Sequence, residues 1–447
     1  MARLFGTDGV RGLANRDITP ELALGLGVAA ARVLARNTTG RPTAVIGRDT
    51  RVSGEFIVSA LAAGMASAGV DVTRVGTLPT PAIAHMTAAT AVDLGVVVSA
   101  SHNPMQDNGI KFFAHGGYKL DDAIEDEIAA LLGSSWERPI GENVGRIGKD
   151  DVTADRVYID HLLQAVKEPL AGLRIAIDCA NGAASDVAPL ALREAGADVV
   201  VINASPDGTN INADCGSTHP ETLQAVTVAA DAAMGVAFDG DADRCLAVDA
   251  NGNMVDGDQI MGLLAIDMHQ RGELAHDLLV VTVMSNLGLL LAMREHGIET
   301  LQTQVGDRYV LEAMRAGGYV LGGEQSGHII NANYATTGDG LLTALMLASK
   351  VAASDHSLAE LAGVVKRLPQ TLINVKGVDK LRANDDEGVG EAVASAEEFL
   401  GDTGRVLLRP SGTEPVVRVM VEAATQEQAD GVALRLADVV KERLTLD

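Results

Sequence analysis

Four short apolar runs, rich in β-branched residues, each end in a polar or glycine-rich segment, and this pattern constrains the fold most. The runs, at residues 44–46, 96–98, 174–177 and 279–283, are followed by GRDTR, SASHNP, DCANGA and MSNLG. Stretches rich in Ala and Leu, of helical length, lie between them, as at residues 20–35 and 55–68. Strands that alternate with helices favour right-handed βαβ layers, with ligand-binding loops beyond the carboxyl ends of the strands.

The last segment of the chain has a different character. Residues 406–423 read as strand, loop and strand, and three valines alternate with other residues in the second strand (Val417, Val419 and Val421 against Arg418, Met420 and Glu422). This period predicts a half-buried antiparallel strand. We expect a helix over residues 426–444 to cover the sheet and to complete a small α+β domain.

The length of 447 residues suggests roughly three or four domains. Polar or turn-rich stretches near residues 149–155, 249–257 and 366–369 mark the expected boundaries. The sequence therefore predicts three α/β domains and a smaller C-terminal domain, at residues 1–152, 153–255, 256–368 and 369–447.

Composition excludes several classes of function. The net charge of −25 opposes binding to nucleic acid or to an anionic membrane, and only 3% of residues are aromatic, too few for base-stacking platforms.

The first residues lack the apolar stretch of a secretory signal, so we expect a cytoplasmic protein. The apolar run at residues 278–293 is short and interrupted by polar residues, which favours a buried strand, a loop and a helix. Three widely spaced cysteines are expected to be small core residues.

The segment DGDADR places Asp239, Asp241 and Asp243 at alternate positions, directly after an apolar run. Carboxylates this dense repel one another unless a divalent cation neutralises them, and Mg²⁺ prefers such hard oxygen ligands. A calcium EF-hand would need a longer loop with a carboxylate at its twelfth position, which is absent. Arg244 could pair with a phosphate or with these carboxylates. A solvated acidic loop is the alternative.

The segment SASHNP follows another apolar run and presents Ser101 beside His102, where we expect an exposed side chain. A serine in this position can carry a phosphoryl group whose charge a metal and backbone amides would hold. Ser99 is the less favoured nucleophile. An ordinary turn with a helix cap is the alternative.

Two further loops offer groups suited to sugars and phosphates. GGEQSGH supplies Glu324, Ser326 and His328, although taken alone it is more typical of a plain β-turn with a hydrogen-bonded histidine. RPSGTEP lies between two strands and could hold a phosphate. Its proposed ligands, with a basic residue on the following strand, are Arg409, Ser411, Gly412, Thr413 and Arg418.

The N-terminal segment FGTDGVRG is glycine-rich but matches neither a Walker loop nor a dinucleotide-binding turn, so a P-loop kinase or a dehydrogenase lacks its key residues. We interpret Arg11 and Lys111 as cations near the serine loop. For Lys111 an ordinary surface position is the alternative.

Taken in order, FGTDGVRG, SASHNP, DGDADR, GEQSGH and RPSGTEP resemble the α-D-phosphohexomutase superfamily, over essentially the whole chain. The resemblance implies three α/β domains with mixed sheets and a smaller α+β domain around a central cleft. It implies that Ser101 is phosphorylated and that Ser101, Asp239, Asp241 and Asp243 hold one Mg²⁺ per chain. By the same resemblance, Glu324, Ser326 and His328 contact the sugar, and the RPSGTEP loop holds the distal phosphate. Lys111 and Arg11 match positions near the transferred group, which leaves the proton carrier undecided.

Details of the motifs resemble the glucosamine branch more than the glucose and mannose branch. This implies a mutase of glucosamine 6-phosphate and 1-phosphate that passes through a sugar 1,6-bisphosphate and supplies amino sugar for UDP-N-acetylglucosamine and the bacterial cell wall. Gln325 could discriminate a 2-amino from a 2-hydroxy sugar by only about 1–3 kcal/mol. Phosphoglucomutase or phosphomannomutase activity, a Mg²⁺-dependent phosphatase and a sugar-phosphate sensor are the alternatives. The sequence leaves a homodimer open.

Overall fold

The computed structural model describes residues 3–6, 8–383, 385–410 and 416–446. They form two compact units, the described parts of Met1–Met284 with Gly297–Val364, and of Ser285–His296 with Val365–Asp447. In this described part of the chain, no helix is both long and apolar enough to cross a bilayer. Short 3₁₀ turns occur at Gly141–Asn143, Gly216–Thr218, Ala275–Asp277, Lys380–Arg382 and Gly401–Thr403.

The first sheet of the larger unit has the strand order β3-β2-β4-β5-β1, with β6 paired to β5. Its elements are β1 (Val10–Leu13), α1 (Pro20–Leu34), β2 (Thr43–Arg48), α2 (Gly54–Ser67), β3 (Asp71–Thr77), α3 (Thr80–Ala89), β4 (Leu94–Val98), β5 (Asp107–Ala114), β6 (Tyr118–Lys119) and α4 (Asp122–Ala130). The strand β2 is parallel to β3 and β4, whereas β5 is antiparallel to β4 and β1. The serine loop therefore joins the antiparallel pair β4 and β5.

Glycines let the first two helices approach closely. A Cβ atom at Gly64 of α2 would lie 2.3 Å from the carbonyl oxygen of Leu24 in α1, and one at Gly27 would lie 2.5 Å from that of Leu61. Around them, alanine, valine and leucine side chains form a core with few aromatic residues, among them Phe5 and Phe112. This matches a composition rich in small apolar residues.

The second sheet has the order β8-β7-β9-β10-β11. Its elements are α5 (Ala154–Leu163), β7 (Arg174–Asp178), α6 (Ala184–Glu194), β8 (Asp198–Ile202), α7 (Glu221–Ala229), β9 (Met234–Phe238), β10 (Cys245–Asp249) and β11 (Met254–Val255). The buried strand β9 is parallel to β7 and antiparallel to β10. The aspartate loop is thus the connection between β9 and β10.

The third sheet has the order β13-β12-β14-β15. Its region contains α8 (Gly257–Gln270), β12 (Leu278–Thr282), β13 (Glu299–Thr303), α10 (Asp307–Gly317), β14 (Leu321–Gly323), β15 (Ile329–Asn331), α11 (Gly340–Ala352) and α12 (Leu358–Ala362), while α9 (Leu287–Glu295) belongs to the second unit. The strands β14 and β15 are antiparallel, and residues 324–328 connect them. The sequence GGEQSGH therefore forms the end of a strand and the loop after it.

The second unit contains α9 and an antiparallel sheet of order β16-β18-β17. Its further elements are β16 (Gln370–Lys376), α13 (Glu387–Leu400), β17 (Arg405–Pro410), β18 (Val416–Glu422) and α14 (Gln426–Leu444). Valines of β18 share one core with Val432 and Leu436 of α14, which confirms the predicted helix and its packing on the sheet.

The predicted half-exposure of β18 is wrong. Within this strand Arg418 is exposed, but Met420 and Glu422 are buried as fully as the valines. At Glu422 the reason is chemical, because its carboxylate pairs with Arg405 at 2.8 Å and accepts a hydrogen bond from Leu287 N at 2.9 Å. Alternation alone could not reveal that a charged residue faces polar partners.

The expected fold class, three α/β layers with mixed sheets and a smaller C-terminal α+β layer, is confirmed. In the apolar run at residues 278–293, the predicted strand is β12, the predicted helix is α9, and the predicted loop is the connection between them. The cysteines Cys179, Cys215 and Cys245 are free and buried, as expected. The domain boundaries after residues 152, 255 and 368 stay a prediction.

Candidate active site

Ser101 lies in the loop between β4 and β5 with a left-handed backbone, at a φ angle of 51°. Its backbone N–H donates to Ser99 Oγ at 3.0 Å. Its hydroxyl donates to Oδ2 of Asp239 at 2.5 Å. The expectation of an exposed serine is wrong, because the hydroxyl turns toward this carboxylate and leaves the residue 1% exposed.

His102 lies beside this hydroxyl, with Nδ1 3.3 Å from Ser101 Oγ. Burial, helped by the charges of Arg244 and Arg11, lowers the pKa of the His102 imidazole. The ring is therefore neutral at physiological pH.

The connection between β9 and β10 brings three buried carboxylates together. Oxygens of Asp239, Asp241 and Asp243 lie within 4.8 Å of one another. Burial, reinforced by the charges of Asp243 and Asp241, raises the pKa of Asp239 well above its usual range. Without a cation, burial and mutual repulsion make the ionised form of this cluster unfavourable.

The donor set fits Mg²⁺. Oδ1 of Asp241 and Oδ1 of Asp243 are buried and have no hydrogen-bond partner among the described residues. Unpartnered carboxylate oxygens in a buried cluster are the ligands that a small hard cation requires. These three aspartates, with Ser101, are the residues that would hold the ion.

Lys111, on β5, is buried rather than a surface cation. Its Nζ lies 3.0 Å from Asp241 Oδ2 and 2.7 Å from Asp8 Oδ2. Burial alone would lower its pKa, but Asp241 and Asp8 outweigh this effect and raise it, so the ammonium keeps its proton. Arg11, on β1, pairs with the same Asp8. Both cations therefore lie beside the aspartate cluster, which the serine loop contacts through the hydrogen bond from Ser101 to Asp239.

A pocket of about 570 Å³ opens in front of these groups, within the larger unit. Its lining includes seven of the sixteen predicted site residues, namely Arg11, Ser101, His102, Asp243, Arg244, Glu324 and His328. His328 Nδ1 lies 3.6 Å from Asp243 Oδ2, and Glu324 Oε1 accepts a hydrogen bond from Gly306 N at 3.0 Å. The volume lies within the range of small-molecule sites.

Two residues of the GGEQSGH loop point elsewhere. Gln325 donates from Nε2 to Asp256 Oδ2 at 3.2 Å, and neither Gln325 nor Ser326 belongs to the pocket lining. The hydroxyl of Ser326 is buried without a hydrogen-bond partner among the described residues. The suggestion that Gln325 reads the substituent at C2 of the sugar therefore lacks support from the position of its side chain.

The C-terminal part of the predicted site lies in the second unit. Arg409 and Arg418 are paired positions on β17 and β18. Ser411, Gly412 and Thr413 lie outside the described residues. A phosphate-binding role for this loop stays a prediction.

Sequence reasoning missed several residues of the site. Lys119 Nζ lies 3.0 Å from Asp8 Oδ1 and also pairs with Asp307. Thr80 donates from Oγ1 to Asp241 Oδ2 at 2.6 Å. Asp8 stands inside FGTDGVRG and could have been singled out, but Lys119 and Thr80 carry no local pattern and approach the site only through the fold.

Comparisons with known proteins identify the family of the chain. Sequence models of the phosphoglucomutase/phosphomannomutase family match residues 2–137 as α/β/α domain I, 156–252 as domain II, 256–368 as domain III and 372–439 as the C-terminal domain. A phosphoglucosamine mutase of Bifidobacterium animalis subsp. lactis is 63% identical over 454 aligned residues, covering 100% of both chains.

Solved structures show the same fold. A phosphoglucomutase/phosphomannomutase family protein of Burkholderia thailandensis aligns with a TM-score of 0.84 at 28% identity, over 99% of each chain. Aspergillus fumigatus N-acetylphosphoglucosamine mutase, solved in complex with GlcNAc-6P and magnesium, aligns with a TM-score of 0.69 at 19% identity, over 98% of this chain and 95% of that one. The chain belongs to the phosphoglucomutase/phosphomannomutase family of α-D-phosphohexomutases, in the branch of the phosphoglucosamine mutases.

Proposed function

We propose that the protein interconverts glucosamine 6-phosphate and glucosamine 1-phosphate, with Ser101 as the residue that carries the transferred phosphoryl group. The observation that supports this best is the hydroxyl of Ser101, which lies 2.5 Å from Asp239 Oδ2 in a buried aspartate cluster. Two carboxylate oxygens of this cluster have no hydrogen-bond partner among the described residues. Full-length relatives at about 60% identity carry the same activity in their names.

In the forward reaction the free C1 hydroxyl of glucosamine 6-phosphate attacks the phosphorus atom on Ser101 Oγ. A bond forms between this oxygen and phosphorus, the bond from phosphorus to Oγ breaks, and the hydroxyl proton passes to a base in the pocket. The product is the 1,6-bisphosphate. After the bisphosphate reorients in the pocket, Ser101 Oγ attacks the phosphorus atom on O6. A bond forms between Oγ and phosphorus, the bond from phosphorus to O6 breaks, and O6 takes up a proton as the serine hydroxyl loses one. This releases glucosamine 1-phosphate and restores the phosphoserine.

Residues of the pocket have separate tasks in this scheme. Mg²⁺ bound by the three aspartates would offset the negative charge of the transferring group. Lys111 and Arg11 add positive charge beside it, and both keep their protons through their ion pairs with Asp8. Glu324 and His328 offer an acceptor and a ring nitrogen that can orient the hydroxyl groups of a sugar.

A coupled assay for glucosamine 1-phosphate, with Mg²⁺ and a hexose 1,6-bisphosphate as primer, tests the proposal. The wild type should turn over and Ser101→Ala should not, whereas the exposed Ser205→Ala should match the wild type. Parallel rates on glucose 6-phosphate and mannose 6-phosphate measure selectivity, and inorganic phosphate measures hydrolysis. Wild-type rates in Ser101→Ala would refute the role of the serine, and phosphate as the main product would indicate a phosphatase.

A further inference from the structure

A buried ion pair lies behind the serine loop, in the GRDTR segment that follows β2. Arg51 Nη1 lies 2.6 Å from Asp49 Oδ2, and both side chains are 0% exposed. Neither residue lines the pocket, so neither can touch a bound sugar phosphate directly.

Both members of the pair hold the backbone of the serine loop. Arg51 Nη2 donates to the carbonyl oxygen of Asn103 at 2.5 Å and to that of Ser101 at 3.3 Å. Asp49 Oδ2 accepts the hydroxyl of Ser99 at 2.6 Å, and Ser99 Oγ accepts the N–H of Ser101 at 3.0 Å. The pair therefore fixes Ser101 from both sides, directly at its carbonyl and through Ser99 at its amide.

The serine needs this support because its backbone is left-handed, at a φ angle of 51°. A residue with a Cβ atom adopts this conformation only where its surroundings hold it there. Asn212, from a loop after β8, donates from Nδ2 to the carbonyl oxygens of Ser101 and Asn103, at 2.9 and 3.0 Å. This conformation is the one in which the hydroxyl meets Asp239.

Stability alone gives little reason to bury such a pair. Taking both charges out of water is costly, and apolar residues of similar size often stabilise a fold as well or better. Asp49 and Arg51 instead make directed bonds to the peptide groups around one reactive residue, which is what positioning a phosphoryl carrier requires.

We propose that Asp49 and Arg51 are positioning residues. They hold Ser101 Oγ next to the aspartates that would bind the metal, while the phosphoryl group is transferred. The inference rests on the proposed function, since it assigns these residues to the same reaction. It predicts that their loss slows transfer to and from Ser101 and leaves binding of the sugar phosphate intact. The reason is that, among the described residues, no hydrogen bond or ion pair joins Glu324 or His328 to the pair.

The test compares Arg51→Met, Arg51→Lys and Asp49→Asn with the wild type. We expect kcat to fall about 100-fold in Arg51→Met, with KM for the sugar 6-phosphate unchanged within about 3-fold. Arg51→Lys should recover part of kcat, because one donor to the carbonyl groups remains. Intact-mass spectrometry should show slower phosphorylation of Ser101 by the bisphosphate. Arg74→Met, which breaks an ion pair with Asp150 on the surface, is the matched control and should behave as the wild type.

Ser99→Ala decides the matter if the Arg51 variants do not fold, since it removes one hydroxyl from the same chain of bonds. A fall in kcat of about 10-fold at constant KM supports the inference. It is overturned if kcat of a folded variant stays within 2-fold of the wild type, or if KM rises instead. Absence of glucosamine 1-phosphate with the wild type would refute the proposed function itself, so the two failures are distinct.

Discussion

At the scale of single residues, the aspartate cluster is the feature in which stability and function oppose each other most directly. Asp239, Asp241 and Asp243 are buried and close together, so each ionised carboxylate disfavours the next. Lys111 and Arg244 compensate only partly, because two carboxylate oxygens still lack partners among the described residues. Binding of Mg²⁺ should therefore stabilise the folded protein measurably.

The first prediction concerns Asp239→Asn. The amide is neutral like the protonated acid that burial favours, so the unfolding temperature of the metal-free variant should equal or exceed that of the wild type. Saturating Mg²⁺ should stabilise the wild type by about 2.7 kcal/mol at 100 times its Kd, and the variant hardly at all. Thermal unfolding with EDTA and with MgCl₂ measures both effects.

The exposed Asp355→Asn serves as the control and should keep the full Mg²⁺ response. An unchanged response in Asp239→Asn would show that the ion binds elsewhere.

At the scale of secondary structure, α11 begins at a buried titratable cap. Asp339 accepts the N–H of Leu342 and lies 2.9 Å, through both its oxygens, from the hydroxyl of Tyr158 in α5. Burial, which outweighs these hydrogen bonds, raises the pKa of Asp339 from 3.8 to about 6. The cap therefore connects two helices, and ionisation of its buried carboxyl group lowers the stability of the folded protein as pH rises.

The second prediction concerns this cap. Because the pKa is higher in the folded state, the folded protein binds the proton more tightly, and stability from this group is lost as pH rises from about 4 through about 6. Asn caps helices as well as Asp and does not titrate. Between about pH 4 and 6 the wild type should lose on the order of 3 kcal/mol of unfolding free energy through this group, and Asp339→Asn should not. The unfolding free energy of the variant should therefore depend less on pH.

Asp386→Asn, at the cap of α13, provides the contrast. Arg443 lowers the pKa of Asp386, so that variant should lose stability at neutral pH and little at acid pH. Identical pH curves for the wild type and Asp339→Asn would contradict the prediction.

The third prediction concerns two stacked imidazoles between α3 and α5. The rings of His85 and His161 lie 3.9 Å apart at 16°. Burial, with the charge of His161, lowers the pKa of His85 to about 4. Unfolded histidine takes up a proton below about pH 6.5, so the stability due to this group is complete above that pH and is lost as pH falls toward 4.

His85→Phe keeps a ring in the stack and removes the titration. When the pH falls from 7.5 to 5, the unfolding free energy should decrease less in the variant than in the wild type. The difference between the two decreases should be no more than about 2 kcal/mol, because the site is partly exposed. Urea unfolding at the two pH values measures the difference, and an equal loss in both proteins would disprove a role of His85.

Local patterns predicted the elements of this fold well, and they predicted the site only where its residues are close in sequence. The bounds of α14 and the loops after β4 and β9 follow from periodicity and from the motifs SASHNP and DGDADR. Lys119, Thr80 and Asn212 reach the site from distant segments, which no local pattern encodes. The exposure of Ser101 and Glu422 was mispredicted because each side chain has a polar partner from another segment.

At the scale of the whole molecule, a strongly acidic chain gathers several cationic side chains around one pocket. The net charge is −25, and Arg3, Arg11 and Arg244 line the pocket, while Lys111 is buried and Lys119 is partly buried beside it. The same lining contains four carboxylates, namely Asp8, Asp243, Asp307 and Glu324. Since carboxylates outnumber arginines in the lining, a divalent cation held by the aspartates would be needed to make the pocket attractive to an anionic substrate. This arrangement fits a sugar phosphate better than a polyanion, which would contact the acidic surface as well.

The division into two compact units leads to the last prediction, because the second unit is built from separate stretches of sequence. Residues 285–296 join residues 365–447. Asn286, which caps α9, donates from Nδ2 to Glu422 Oε1 at 3.1 Å, and Leu287 N donates to Glu422 Oε2 at 2.9 Å. A truncation after Pro369 removes Glu422 and leaves the start of α9 without these acceptors.

We expect the fragment 1–369 to keep the sheets of the larger unit but to lose order in α9. Hydrogen exchange measured by mass spectrometry should show protection of residues 287–295 falling at least about 10-fold, with α1 unchanged as the internal reference. Full-length Glu422→Gln, which loses the charge but keeps an acceptor, should show a smaller effect in the same segment. Equal protection of α9 in the fragment and the full chain would mean that this helix is held by the larger unit, and that a single cut separates two independent folding units.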